Sequence, residues 1–170
     1  SPVRRMISHH HRTIFVHIPK CGGQSVEQAF LDDLGLTWAE RAPLLLGRNP
    51  SPRLGPPRLA HLSARQYRDG QFVTEAQWRD YFTFAVVRDP VTRAVSLFNH
   101  GNPGMYHFVR PQRDFVTTTN GAILPDGIVR LEDLAASWPD LQAATGLTAA
   151  LPHRNASTMG ATPRDLTQRD

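Results

Sequence analysis

Short apolar runs alternate with amphipathic stretches along the chain, and a polar turn follows each run. The β-branched and aromatic run from Thr13 to Ile18 predicts a buried strand. Between Ser25 and Gly35 apolar residues recur at helical spacing, which predicts a helix that Gly35 ends. A second apolar run over 81–87 precedes helical spacing over 91–99. The order of strand, turn and helix therefore occurs twice.

Weaker patterns predict further elements of the same kind. Residues 58–62 indicate a short strand, and Ser63 is a good N-cap for the helix that follows it. A brief strand over 128–131 precedes a helix that contains Leu134, Trp138 and Leu141, and Pro139 is expected to kink or break that helix. Strands that alternate with helices predict an α/β fold with a parallel sheet, which binds ligands at the carboxyl ends of its strands.

The remaining stretches predict loops and termini. Five prolines between Arg41 and Arg58 predict a surface loop, and residues 101–127 show no clear period. We assign residues 1–12 to a flexible N-terminal segment, 13–158 to one domain and 159–170 to a C-terminal tail. The histidines at positions 9–11 fall in the first segment, and we assign them no chemistry.

Composition narrows the class of protein. With 170 residues, 40% of them hydrophobic, the chain is long enough for one domain with a proper core. The net charge of +4 comes from arginines scattered along the whole length, so we expect a solvated surface and no nucleic-acid partner. No stretch is apolar enough to predict a membrane span. A single cysteine favours a reducing, cytoplasmic location, although a lumenal enzyme could also lack disulfides.

Lys20 is the one lysine among 19 basic residues, and it stands where the first strand breaks into a Gly-Gly loop. A loop between a strand and a helix start directs backbone N–H groups and the positive end of the helix dipole at one point. We expect an anion there, and phosphate fits. A Walker-type loop would place the lysine after the glycines, whereas Lys20 precedes Gly22 and Gly23, which disfavours a standard nucleotide triphosphatase.

Two segments resemble known binding motifs. Ile18-Pro-Lys-Cys-Gly-Gly-Gln-Ser25 is similar to the phosphosulfate loop of sulfotransferases that use 3′-phosphoadenosine 5′-phosphosulfate (PAPS), where threonine is usual at the position of Cys21. Phe82-Thr-Phe-Ala-Val-Val-Arg-Asp-Pro-Val-Thr-Arg-Ala-Val-Ser96 is similar to their 3′-phosphate motif. The resemblance implies a P-loop-like single domain with a central parallel sheet flanked by helices. It also implies that PAPS, and its product PAP, bind to Lys20, Cys21, Gly22, Gly23, Gln24, Ser25, Arg88 and Ser96.

A third segment, Ala60-His-Leu-Ser63, resembles the Gly-His-Leu/Val-Ser/Thr segment of heparan 2-O and chondroitin sulfotransferases. The resemblance implies that His61 is the general base and that Lys20 is the second catalytic residue. An imidazole with a pKa of about 6.5 can accept a hydroxyl proton at neutral pH. The alternative is that His61 merely hydrogen-bonds a loop. His17, inside the first strand, is expected to be a packed core histidine.

Two later segments, 127–134 and 151–157, also resemble the family and extend the likeness over residues 13–158. Arg130 and Glu132 are expected to pair beside the sheet, and Arg154 to approach donor or acceptor, although ordinary packing or surface roles would also explain these residues. The family has glycine at the position of Ala60, so the resemblance does not fix the contacts of the loop around that residue.

The resemblance predicts in-line sulfuryl transfer from PAPS to an acceptor hydroxyl on a saccharide, without a metal. Two alternatives stay open: a kinase-like phosphoryl transferase, and a degenerate module that binds a nucleotide or an acidic glycan without catalysis. If the chain is a soluble fragment of a eukaryotic relative, the expected location is the Golgi lumen and not the cytoplasm.

Overall fold

The computed structural model describes residues 6–44, 62–70, 72–100 and 110–152. Within these ranges the chain forms four strands and six α-helices. The strands are β1 (Met6–Ser8), β2 (Thr13–Val16), β3 (Phe82–Val87) and β4 (Gly127–Arg130). The helices are α1 (Gly23–Asp33), α2 (Ala64–Asp69), α3 (Glu75–Asp80), α4 (Pro90–His100), α5 (Gln112–Val116) and α6 (Leu134–Thr145).

The strands form one sheet in the order β1-β2-β3-β4. Strands β2, β3 and β4 are parallel, with Val16 opposite Ala85 and Val87 opposite Arg130. Strand β1 runs antiparallel to β2 at one edge. This arrangement confirms the α/β class, with one antiparallel edge strand added to the parallel sheet. Because parallel strands end at the same edge, the chain after β2 and the chain after β3 lie side by side.

Helices cover both faces of this sheet. Residues of β2 are buried throughout, and successive side chains of a strand point to opposite faces. Each face therefore has its own apolar cluster. The first includes Ile14, Val16, Tyr67 and Phe115, and the second includes Phe15, Phe30, Phe84 and Trp138.

The N-terminal residues differ from the sequence-based expectation. Residues 6–12 were assigned to a flexible segment, but Met6–Ser8 form a buried strand, and the chain turns directly into β2. His11, expected to have no role, is buried and shares hydrogen bonds with Ser8 Oγ (2.6 Å) and Asp33 Oδ2 (2.8 Å). Pairing with β2 satisfies the backbone of this short segment, and so it is ordered.

Most of the other predicted elements agree with the structure to within two residues. Ser63 caps α2 and accepts a hydrogen bond from the Gln66 amide, while the Gln66 side chain accepts one from the Ser63 amide. Helix α6 continues through Pro139 without a break, with Trp138 and Leu141 buried on either side of it. Packing of these side chains outweighs the loss of one backbone hydrogen bond.

Among the strands and α-helices of the described residues, three short ones were not predicted: β1, α3 and α5. The proposed strand over 58–62 lies outside the described residues except for Leu62, which is buried. The expected loop over 41–58 is described only as far as a 3₁₀ turn at Ala42–Leu44, and the tail from 153 onward is not described. None of the helices that the structure describes is both long and apolar enough to span a bilayer.

Candidate active site

The Lys20 loop, residues 20–25, comprises the end of the connection from β2 and the first turn of α1. Helix α1 begins at Gly23, two residues earlier than expected, and Gly22 precedes it in the left-handed conformation with φ 76°. A Cβ at Gly22 would lie 2.6 Å from Leu131 Cδ1, and one at Gly23 would lie 2.1 Å from the His17 ring. The two glycines are therefore required by the packing beneath the loop and, at Gly22, by the backbone conformation.

The amides of this loop divide into two groups. The Cys21 amide donates to Ile18 O (3.3 Å) and the Ser25 amide donates to Gly22 O (3.2 Å). Within the described residues, no hydrogen bond uses the amides of Gly22 or Gly23. Helix α1 also has no acidic residue in its first turn. Its N-terminus thus keeps the positive end of the helix dipole uncompensated, which is the condition for binding an anion.

Lys20 lies half-buried at the start of the loop, and its backbone has φ 62°. A left-handed backbone costs a residue with a Cβ about 1 to 2 kcal/mol, so the surroundings must hold it in place. Burial, and then the positive charge of Arg88, lower the pKa of the Lys20 ammonium. Two cations held this close repel each other, and a bound anion would relieve that repulsion.

Arg88 follows β3 directly and contacts the loop after β2. Its Nη1 donates a hydrogen bond to the Lys20 carbonyl oxygen at 3.1 Å. The Gln112 side chain fixes the Arg88 backbone on both sides, since its Oε1 accepts from the Arg88 amide and its Nε2 donates to the Arg88 carbonyl, each at 2.7 Å. The two segments singled out from sequence thus meet at one edge of the sheet.

Ser96 lies on α4 and is buried, with a relative exposure of 6%. Its Oγ has no hydrogen-bond partner among the described residues. A buried hydroxyl without a partner costs about 1 to 3 kcal/mol, so its presence calls for an explanation.

Cys21 is buried and donates a hydrogen bond from Sγ to Gln112 Oε1 at 3.4 Å. Burial raises the pKa of the Cys21 thiol to about 11, although the charges of Arg93 and Arg88 partly oppose this. The thiol is accordingly protonated at neutral pH. Threonine is usual at this position in the proteins that the segment resembles, and here the Cys21 side chain packs below the loop.

The expectation for His17 agrees with the structure. The imidazole is buried and shares a hydrogen bond of 2.7 Å with Glu27 Oε1 of α1. Arg130 Nε lies 3.8 Å from Glu132 Oε2 in an exposed pair, and Glu132 Oε1 also accepts a hydrogen bond from the Asp89 amide. This pair thus connects β4 to the turn after β3.

His61 and Arg154, both singled out from sequence, lie outside the described residues. Leu62, the residue after His61, belongs to the same apolar cluster as Ile18 and Cys21. The part of the chain that is described holds no group of histidine, cysteine or acidic side chains suited to a metal ion.

Two residues at the site were missed from sequence: Gln112 and Arg93. Gln112 lies in a stretch without a clear period, and nothing local indicates its contact with Arg88. Arg93 lies inside the segment that ends at Ser96, and its position there is the one signal that could have drawn attention to it.

The comparisons with known proteins agree with this geometry. No curated protein and no solved structure shows a significant match to the chain. The family model described as the sulfotransferase family, however, matches residues 4–120, more than half of the chain. That range contains Ser96 as well as the Lys20 loop and Arg88, which meet at one edge of the sheet. The chain therefore belongs to the sulfotransferase family.

Proposed function

We propose that this protein transfers a sulfuryl group from PAPS to an acceptor hydroxyl. The observation that carries the proposal is the hydrogen bond from Arg88 to the Lys20 carbonyl, because it joins two cationic segments from different strands. PAPS is a ligand with two anionic ends, a 5′-phosphosulfate and a 3′-phosphate. A site with two adjacent cationic segments suits such a ligand.

In this proposal the segment from Lys20 to Ser25 binds the 5′-phosphosulfate, with the Lys20 ammonium and the amides of Gly22 and Gly23 as donors. The amides of Gly22 and Gly23 support this role, since no described residue accepts their hydrogen bonds. Arg88 would bind the 3′-phosphate with its remaining guanidinium N–H groups, because within the described residues that guanidinium makes one hydrogen bond. The buried Ser96 hydroxyl fits the same phosphate, which would give it the partner that it lacks.

The chemistry that we propose is an in-line transfer with two catalytic residues. PAPS supplies an activated sulfuryl group on a phosphate leaving group. Lys20 would stabilise the negative charge that develops on the bridging oxygen, from a position that is already held before reaction. His61 would accept the proton of the acceptor hydroxyl.

For the acceptor we propose a saccharide hydroxyl, on the basis of the segment around His61. For location we propose the cytoplasm, on the basis of the lone cysteine, with the Golgi lumen as the alternative. The protein would use no metal, because its own cations can compensate the charge of the donor.

The test is sulfate transfer from ³⁵S-labelled PAPS to a panel of glycans and small hydroxylated compounds. Lys20→Ala should abolish transfer. His61→Ala should remove turnover while PAP still binds with nearly unchanged affinity. Arg79→Ala is the control, because Arg79 is exposed on α3 and pairs with Asp80 away from the site.

Each alternative makes a different prediction in the same assay. Binding of PAP without transfer to any acceptor would indicate a binding module. Transfer of phosphate from ATP with magnesium, and none from PAPS, would indicate a kinase. Full activity of Lys20→Ala or His61→Ala would contradict the role assigned to that residue.

A further inference from the structure

Arg93 contacts the phosphosulfate loop from below. It lies on α4, one turn before Ser96, and its relative exposure is 5%. Its Nε donates to the Pro19 carbonyl oxygen and its Nη1 to the Arg110 carbonyl oxygen, each at 3.0 Å. Arg93 therefore links α4 to Pro19, the residue before Lys20 in the chain.

The Lys20 backbone lies between two arginine contacts. Arg93 holds the carbonyl of Pro19, the residue before Lys20, and Arg88 holds the carbonyl of Lys20 itself. Lys20 has a positive φ, which is unfavourable for any residue with a Cβ. Such a conformation persists only where neighbouring groups fix it, and these two hydrogen bonds bracket it.

The direction of the carbonyls sets the direction of the amides. None of the described peptide bonds is cis, and in a trans peptide the C=O and N–H groups point in opposite directions. When Arg93 holds the Pro19 carbonyl, the Lys20 amide of the same peptide points away from α4. The Cys21 amide, opposite the Lys20 carbonyl, donates to Ile18 O. The contacts from Arg88 and Arg93 thus orient the first two peptides of the loop.

A lysine at position 93 could not make the same contacts as Arg93. The planar guanidinium presents several N–H donors in a rigid fork, whereas an ammonium is a point donor on a flexible stem. Arg93 uses two different nitrogens for Pro19 and Arg110, and so it needs the fork. Burial lowers the pKa of the Arg93 guanidinium, as expected for a cation enclosed by backbone.

We propose that Arg93 is a positioning residue that holds the Lys20 backbone in its left-handed conformation and thereby sets the loop for the 5′ end of the donor. Arg93 does not touch the donor itself. The identity of the ligand in this inference rests on the proposed function, but the geometry of the loop does not.

The first test compares two nucleotides by calorimetry. PAP carries both the 5′-phosphate and the 3′-phosphate, whereas adenosine 3′-monophosphate lacks the 5′ group. In Arg93→Lys the affinity gained from the 5′-phosphate should fall by about tenfold or more, while the affinity for adenosine 3′-monophosphate stays within about twofold. Arg79→Lys, an exposed arginine on α3, is the matched control and should change neither value.

The second test is hydrogen exchange of the free protein, which needs no ligand. Peptides that contain the Cys21 and Ser25 amides should exchange about tenfold faster in Arg93→Lys, while β3 peptides keep their protection. Unchanged exchange in the loop would overturn the inference, whether or not the protein binds nucleotides. Binding of neither nucleotide by the wild-type protein would instead reject the proposed function.

Folding of the variants is checked by circular dichroism and urea unfolding. If Arg93→Lys does not fold, Arg93→Gln is measured in its place, because glutamine is neutral and can still donate to the Pro19 carbonyl. Loss of folding in both variants would overturn the inference, since Arg93 would then stabilise the whole domain and not the loop.

Discussion

At the scale of single residues, the buried hydroxyl of Ser96 has a cost to stability and, in the proposed function, a role in binding the donor. Its buried hydroxyl lacks a partner within the described residues, and so does the hydroxyl of Thr83. Thr83 lies near the amino end of β3, at the other end of the strand from Arg88. The two residues therefore form a natural pair for comparison, one at the proposed donor site and one away from it.

Replacement of Ser96 by alanine should have opposite effects on stability and on affinity. Removal of an unpaired buried hydroxyl should raise the free energy of unfolding by up to about 1 kcal/mol, because its desolvation is no longer paid. The affinity for PAP should fall about tenfold or more, since a hydrogen bond to a charged phosphate is lost. Urea unfolding and calorimetry measure the two quantities.

Thr83→Val is the matched control for this prediction. It should raise stability in the same way and leave PAP affinity unchanged. Equal PAP affinity of Ser96→Ala and the wild-type protein would contradict the role of Ser96 at the 3′-phosphate.

Individual residues differ in how far the sequence predicts them. Lys20, Arg88 and Ser96 stand in short continuous segments, so their residue types and spacing were enough to single them out. Gln112 contacts Arg88 across 24 positions of the chain, in a stretch without periodicity. Its role depends on where α5 packs, and local sequence does not contain that information.

At the scale of elements, a polar network joins three parts of the fold. His11 from the turn between β1 and β2 contacts Asp33 at the end of α1. Asp33 also accepts hydrogen bonds from the Thr148 amide and hydroxyl and from the Ala149 amide, after α6. The edge hairpin, α1 and the segment after α6 are thereby connected through one carboxylate.

The pH dependence of stability should report on this network. Burial alone would raise the pKa of Asp33, but hydrogen bonds from Thr148, His11 and Ala149 outweigh it and hold the pKa at about 2. The unfolded chain has a value of about 3.9. The stabilisation is therefore complete above about pH 4 and is lost as the pH falls toward 2, because the carboxylate must then be protonated.

Asp33→Asn should lower the free energy of unfolding at pH 7 by about 1 kcal/mol and flatten its decline below pH 4. Urea unfolding between pH 3 and pH 7 measures both effects. Asp32→Asn is the control, since Asp32 is exposed and bonds the Gln28 side chain one turn away. If the free energy of unfolding of Asp33→Asn declined with falling pH as steeply as that of the wild-type protein, the network would add no acid-sensitive stability.

The elements that the sequence missed are the short ones. Strand β1 has three residues and α5 has five, fewer than a periodic pattern needs to be recognised. Strand β1 is ordered by its pairing with β2 and by the burial of Met6 and Ile7. Such elements are stabilised by contacts with distant parts of the chain, and their own propensity contributes little.

At the scale of the whole molecule, the parallel sheet is what brings the site together. Strands β2 and β3 are neighbours in register, so the Lys20 loop and Arg88 emerge at the same edge. Both segments carry positive charge, and their proximity is unfavourable without an anion. A ligand that joins them should therefore stabilise the folded state as a whole.

PAP at one hundred times its dissociation constant should add about 2.7 kcal/mol to the free energy of unfolding. For a domain of this size that corresponds to a rise of about 5 to 10 °C in Tm. Differential scanning calorimetry measures the shift, with Lys20→Ala as a variant in which it should shrink. A larger shift with ATP and magnesium than with PAP would contradict the proposed donor.

The sequence by itself determined the longer strands and helices and singled out the segments around Lys20 and Arg88, because these depend on local periodicity and short motifs. Only the tertiary structure decided which segments meet, how the edge hairpin is ordered, and which side chains hold the loop. Contacts such as Arg88 with Lys20, or Arg93 with Pro19, join residues that are 68 and 74 positions apart. The pairing of β2 with β3 creates the first contact, and the position of α4 beside the loop creates the second. No local pattern encodes either arrangement.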